Sequence, residues 1–215
     1  MSNVALLLSG QHRGGNEAMQ SIKRRIIDVL NPDIFISTCL DEHTEKVFKE
    51  SKELNAKRIM ISKDTDTPFM HPYVKYMMEL VVSEPKRSTW AIRITRQWDG
   101  METCFNMAGP WYKTYIRCRL DYVLDGDIEF LNPRENTIYL PSQPIDKACV
   151  SDRFAYGDYK AMSVYCRPMG TISLIKDCPP NELNMPETVI ADLLNRNDVK
   201  REYLGKVGHR VGQTT

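Results

Sequence analysis

Apolar residues in this chain arrive in short unbroken runs, each closed by small or hydroxyl residues. Val4-Ala-Leu-Leu-Leu8 ends at Ser9-Gly10, and a continuous run of this length predicts a strand buried on both faces. The stretch Ser9 to Gly15 is polar and glycine-rich and predicts a loop. Ile22, Ile26, Val29 and Leu30 recur at helical spacing, which predicts a helix over Glu17 to Leu30 that Pro32 stops. Asp33 to Thr38 reads as a second strand, Glu42 to Leu54 as a charged helix, and Arg58 to Ser62 as a third strand.

Strands alternating with helices predict an α/β fold, a doubly wound and mainly parallel sheet flanked by helices. Downstream, the pattern predicts an irregular stretch from Asp64 to Lys86 with one short helix near Tyr73 to Val81. A longer helix follows over Ile92 to Ala108, then a strand through Tyr115 to Leu120. Shorter apolar segments lie at Ile138 to Leu140, at Ala148 to Val150 and within Ser151 to Gly157. Helices fit Asp158 to Tyr165 and Pro186 to Leu194, the latter opened by a favourable Pro-Glu first turn.

The 215 residues fit one domain, residues 1–215, and an N-terminal part of a longer protein is an equally open expectation. The net charge of +1 argues against a broad basic field for nucleic acid, although Lys23-Arg24-Arg25 and Arg93 with Arg96 form local clusters. The six cysteines contain no CxxC pair, so zinc spacing is absent and most are expected to be buried apolar residues. The first residues lack a basic segment and their apolar run is too short for a leader or a membrane span. The expected location is therefore the cytoplasm.

The segment richest in chemistry is Tyr115-Ile-Arg-Cys-Arg-Leu-Asp121. Two-residue alternation places Arg117, Arg119 and Asp121 on one side. Such a set suits either an ion pair on a solvated sheet face or a diphosphate with its cation. Ligands of doubly wound sheets bind at the carboxyl ends of strands, where Ser9 to Arg13, Thr38 and Asp64 fall. The loop Gly10-Gln-His-Arg-Gly-Gly15 matches neither the Walker nor the dinucleotide fingerprint. It reads as a turn or as a nucleotide-contacting loop with Arg13 as clamp.

Asp152 is placed either to cap a turn or to take a proton from an attacking hydroxyl. Glu187 complements a helix dipole or serves as a second base. Asp125-Gly-Asp127 has turn composition and offers oxygen ligands. His209, between glycines, is either a surface residue or part of a loop closing over a site. Trp98, Trp111 and Tyr156 suit base stacking or core packing. No serine-hydrolase elbow, HExxH pair or kinase set is present.

Leu-Leu-Leu-Ser-Gly-Gln-His-Arg, Pro-Asp-Ile-Phe-Ile-Ser-Thr, Arg-Cys-Arg-Leu-Asp, Ser-Asp-Arg-Phe-Ala-Tyr-Gly and Pro-Glu-Thr-Val-Ile-Ala-Asp-Leu-Leu occur in that order. Together they resemble the small GT-A-type glycosyltransferases, such as those of large algal DNA viruses (chloroviruses) and of bacterial surface-polysaccharide synthesis. The resemblance implies a single-domain Rossmann-like GT-A fold and transfer of a sugar, hexosyl or deoxyhexosyl, from a UDP-sugar donor to a hydroxyl of a glycan or glycoprotein. It also implies Mn²⁺ or Mg²⁺, and a host-cytoplasmic location if the chain is viral.

On that basis Ser9, Gly10, Gln11 and Arg13 contact the nucleotide, with Thr38, Arg96, Gln97 and Arg119 assisting. Asp121 and His209 hold the metal, Asp152 is the general base, and Glu187 is the reserve. The family's Asp-x-Asp strand end reads Arg119-Leu120-Asp121 here, so an arginine replaces the first carboxylate. Two alternatives follow: an inactive module that binds a nucleotide-sugar or glycan, or a nucleotidyltransferase of similar fold that consumes a triphosphate.

Overall fold

The computed structural model describes residues 2–12, 15–62, 85–141, 150–168, 186–205 and 207–210. Arg13, Asp64, the stretch near 73–81, residues 148–149 and the cysteines Cys149 and Cys178 lie outside them.

β1 (Val4–Ser9), β2 (Asp33–Cys39) and β3 (Arg58–Ser62) run parallel, as their runs predict. β4 (Thr114–Arg119) joins β1 on its other side, also parallel. β6 (Thr137–Leu140), β7 (Phe154–Gly157) and β8 (Lys200–Tyr203) complete a seven-stranded sheet of order β3-β2-β1-β4-β7-β6-β8. Only β7 is antiparallel to its neighbours, β4 and β6, while β6 and β8 pair in parallel. β5 (Tyr122–Leu124) and β9 (Gly208–Arg210) form a separate antiparallel ribbon, an element the sequence pattern did not announce.

The central strands are buried on both faces because helices cover each. On one face Ala5, Leu7 and Tyr115 pack with Ile94, Trp98, Met101 and Phe105 of the long helix Pro85–Ala108. On the other, Leu6, Leu8, Ile116 and Cys118 pack with Met19, Ile22 and Ile26. Two-residue alternation thus divides each strand between two cores. Trp98 and Tyr156 are fully buried, so both belong to the core, and Tyr156 stacks on Tyr139 with ring centroids 4.5 Å apart. Trp111 is exposed.

The first helix departs from the expected Glu17–Leu30. It starts as α1 (Gly15–Ile22), widens to a π-helix over Lys23–Ile27, and ends in the short α2 (Asp28–Leu30). The amide of Asp28 donates to the carbonyl of Lys23, five residues back, which inserts one extra residue into the turn. Arg25 meets Asp127 there. α3 (Thr44–Glu53) is shorter than predicted, and the long helix, α4 (Pro85–Ala108), begins earlier than Ile92.

α5 (Tyr159–Tyr165) is capped by Asp158, whose Oδ1 accepts from the Ala161 amide at 2.9 Å. α6 (Pro186–Arg196) extends two residues past the prediction. Cys104, Cys118 and Cys166 are buried as expected, and burial pushes the Cys118 and Cys166 thiols up to about 12. Among the described residues no helix is long and apolar enough to cross a membrane.

Gly157 sits where β7 meets β6. A Cβ there would stand 2.7 Å from the Thr137 carbonyl oxygen, a backbone atom that cannot swing aside. Gly157→Ala is expected to cost about 2 kcal/mol and lower Tm by roughly 4–8 °C, measured by thermal denaturation. An unchanged Tm would show that the two strands are free to separate.

Candidate active site at the carboxyl edge of the sheet

The chain leaves β1 toward β2 on one side of the sheet, whereas β4 lies on the other. The carboxyl ends of β1 and β4 therefore flank a topological switch point, the crevice where open α/β sheets take ligands. Ser9 and Arg119 are register partners there. Gly10 follows with φ +113°, a conformation suited to glycine, and its amide donates to the Ser37 carbonyl at 3.2 Å. Thr38 Oγ1 donates to the Gly10 carbonyl at 3.0 Å, tying the start of this loop to β2. Gln11 is half-buried.

β7 enters the same edge from the opposite direction, so its leading residues Asp152 and Arg153 lie beside the end of β4. The Arg119 amide donates to the Arg153 carbonyl at 3.0 Å. Asp121, just past β4, is 2% exposed. Both of its carboxylate oxygens accept from Arg119, Oδ1 from Nε at 2.7 Å and Oδ2 from Nη2 at 2.8 Å. Arg119 Nη1 donates to Gln97 Oε1 at 2.6 Å, and Gln97 Nε2 donates in turn to Asp152 Oδ2. Arg119 Nη1 stands 3.8 Å from that same oxygen. Two carboxylates are thus joined through one guanidinium and one amide.

Burial alone would lower the Arg119 pKa, but its hydrogen bonding to Asp121 and the charges of Asp152, Asp121 and Glu187 outweigh it and raise it. Glu187, half-buried at the start of α6, is raised by its own desolvation first and by the nearby Asp152 charge second.

Arg117 lies beneath. It is fully buried, donating through Nη1 to the Arg153 carbonyl at 2.6 Å and through Nη2 to Ser9 Oγ at 3.3 Å. Its Nε has no hydrogen-bond partner. The alternation that put Arg117, Arg119 and Asp121 on one side holds. Of the two readings of this segment, the ion pair between Arg119 and Asp121 is present, but it is largely withdrawn from solvent, with side chains 13% and 3% exposed.

The structure brings Ser9, Gly10, Thr38, Gln97, Arg119, Asp121 and Asp152 into this linked set, with Glu187 close enough to share its charge. Arg96 neighbours Gln97 on α4 and is half-buried. His209 stands apart on the β5–β9 ribbon, opposite Val123, with Nδ1 2.8 Å from Asp125 Oδ2.

Two residues escaped the sequence reading. Arg153 supplies the carbonyl shared by Arg117 and the β4 edge, signalled only by its place beside Asp152. His12, given no role by the sequence, is 2% exposed, and its Nε2 is 2.6 Å from Glu50 Oε2. That contact anchors the loop after β1 to α3.

The arrangement does not fit a resident Mn²⁺ or Mg²⁺. Asp121 has both oxygens bonded to Arg119, and Asp125 is engaged by His209. Unit charges 4 Å apart near a protein surface interact by about 4 kcal/mol, and a divalent ion would double that against a guanidinium left in place. A metal at Asp121 would require Arg119 to withdraw.

A separate cleft of about 770 Å³ opens at the amino ends of the strands, lined by Ser2, Asn31, Glu53 and Lys57 among others. It contains none of the candidate residues and lies at the edge that open sheets do not use for ligands.

No protein-family model matches the chain, and no curated protein matches it.

The raised Glu187 pKa has a defined consequence for stability. The folded state binds this proton more tightly than the unfolded state, so its contribution is full below the unfolded value, near 4.5, and is lost as pH rises through the folded value. Glu187→Gln removes that loss. The Tm of the variant relative to the parent should climb as pH increases from about 4.5 toward neutrality. A difference in Tm that stays flat with pH would contradict the assignment.

Proposed function

We propose that this protein is a glycosyltransferase that moves a sugar from a UDP-sugar donor to a glycan hydroxyl. The observation that carries the reading is the convergence at one switch point of a guanidinium and two carboxylates, beside the glycine loop that ends β1. The order of motifs resembling GT-A-type enzymes supports the same class, as an analogy of family. The sheet is α/β and mostly parallel, compatible with such a fold.

In this reading the loop at Ser9-Gly10-Gln11, with Thr38 behind it, receives the nucleotide. The diphosphate faces Arg119, whose charge offsets the negative charge that grows on the leaving group. Asp152 Oδ2 is held by Gln97, while Oδ1 has no hydrogen bond to a described residue and is the oxygen offered to an acceptor hydroxyl. Glu187, with its raised pKa, is the second carboxyl available for proton transfer. No step is routed through a divalent ion, because both carboxylate oxygens of Asp121 are held by Arg119.

A second reading is a module that binds the nucleotide-sugar without turning it over. It is favoured by the arginine at the first carboxylate position and by the full occupation of Asp121.

A thermal-shift screen of UDP, GDP and UDP-sugars, followed by a donor-hydrolysis assay, tests both. UDP and at least one UDP-sugar should raise Tm, and that sugar should be released. Asp152→Asn should keep the Gln97 contact and nucleotide binding while slowing transfer roughly 100-fold or more. Binding without turnover would select the module, and no shift with any nucleotide would remove the whole class.

A further inference from the structure

We propose that Arg119 itself holds the diphosphate of the nucleotide ligand, with Asp121 as the positioning residue that aims it, so that binding needs no divalent cation. The proposal rests on the nucleotide-sugar reading above and specifies how that site handles charge.

A guanidinium carries five N–H donors in a rigid plane. Arg119 spends two on Asp121 and one on Gln97, leaving two N–H groups without a hydrogen bond to a described residue, although Nη1 also stands 3.8 Å from Asp152 Oδ2. Its side chain is 13% exposed and that of Asp121 only 3%, so the cation is the outer member of the pair and the carboxylate the inner one. Clasped on its Nε/Nη2 side, the plane cannot rotate freely, which removes the entropy that a loose arginine would lose on binding phosphate.

Arg117 adds a second, independent reason. Its guanidinium is fully buried and its bonds run to two neutral acceptors, a carbonyl and a hydroxyl, with Nε unpartnered. No carboxylate pairs with it among the described residues. A buried cation without its own counter-ion is costly. An anion docked above Ser9, the residue that Arg117 touches, compensates that charge; a divalent cation at the same place would compound it. Phosphate oxygens also match the planar donor array of arginine. The residue that replaces the first carboxylate of the resembling motif is therefore the one able to take over the cation's electrostatic task.

Isothermal titration of UDP into the full chain, in EDTA and in MnCl₂, tests this with wild type, Arg119→Met and Arg119→Lys. The expected result is wild-type affinity that is the same within about threefold in the two buffers. Arg119→Met should weaken binding about 10- to 100-fold, the range for hydrogen bonds to a charged group. Arg119→Lys, which retains the charge but not the fork, should fall between, and circular-dichroism melts confirm that each variant is folded.

UDP binding that occurs only with Mn²⁺, or an Arg119→Met variant that binds Mn²⁺ and UDP more tightly than wild type, would overturn the proposal while leaving the nucleotide reading in place. Absence of UDP binding in both buffers would end the two together. The wild-type comparison decides even if a substituted chain does not fold.

Discussion

The site depends on one reversal of direction. In an all-parallel sheet every strand would begin at the edge opposite the ligand crevice, and Asp152 and Arg153 would lie far from Arg119. Because β7 pairs antiparallel with β4, its first residues arrive where β4 ends. The Arg119 amide and the Arg117 side chain both bond to the Arg153 carbonyl, so backbone pairing and buried charge reinforce each other at this point. Gly157, at the other end of the short strand, permits the close approach of β6 that holds β7 in place.

Charge is layered beneath the crevice. Arg117 lies deepest, braced by neutral acceptors; Asp121 lies above it in the grip of Arg119; Gln97 then links that arginine to Asp152. A neutral amide between a guanidinium and a second carboxylate keeps them from collapsing into one tight ion pair and leaves Asp152 Oδ1 without a hydrogen bond to a described residue. Glu187 completes the set at the start of a helix from another part of the chain. Its raised pKa reflects the cost of placing a further negative charge near Asp152 in a partly buried setting.

Much of this was legible in the chain and some was not. The apolar runs at Val4–Leu8 and Asp33–Thr38 stood out because strands covered on both faces need no polar alternation. The interruption of the β4 run by Arg117 and Arg119 was equally visible, and simple alternation placed them on a common side. What alternation could not show was depth: the Arg119 and Asp121 side chains are 13% and 3% exposed, with Gln97 of α4 and the Arg153 carbonyl against Arg119. Strand direction has no local signature either. Nothing in Phe154-Ala-Tyr-Gly157 distinguishes a parallel from an antiparallel neighbour.

The partnership of Gln97 with Asp152 joins residues 55 apart, beyond any spacing rule. β8 and β9 are short and polar, and their pairing is tertiary. The π-helical turn at Lys23–Ile27 interrupts an otherwise regular helical period without changing which isoleucines face the core.

The strand order also carries a kinetic implication. β1, β2 and β3 follow one another in sequence and pair at once, whereas β1 meets β4 only after a far longer stretch of chain, as the 108-residue span between Ser9 and Arg117 shows. Closing a loop of that length costs more entropy and is expected to come late in folding. The β1–β3 half would then mature before the β4–β7 half, an order that pulsed hydrogen exchange on β2 and β4 can read out. A nascent or partly unfolded chain would lose the Arg119, Gln97 and Asp152 linkage well before it lost its first three strands.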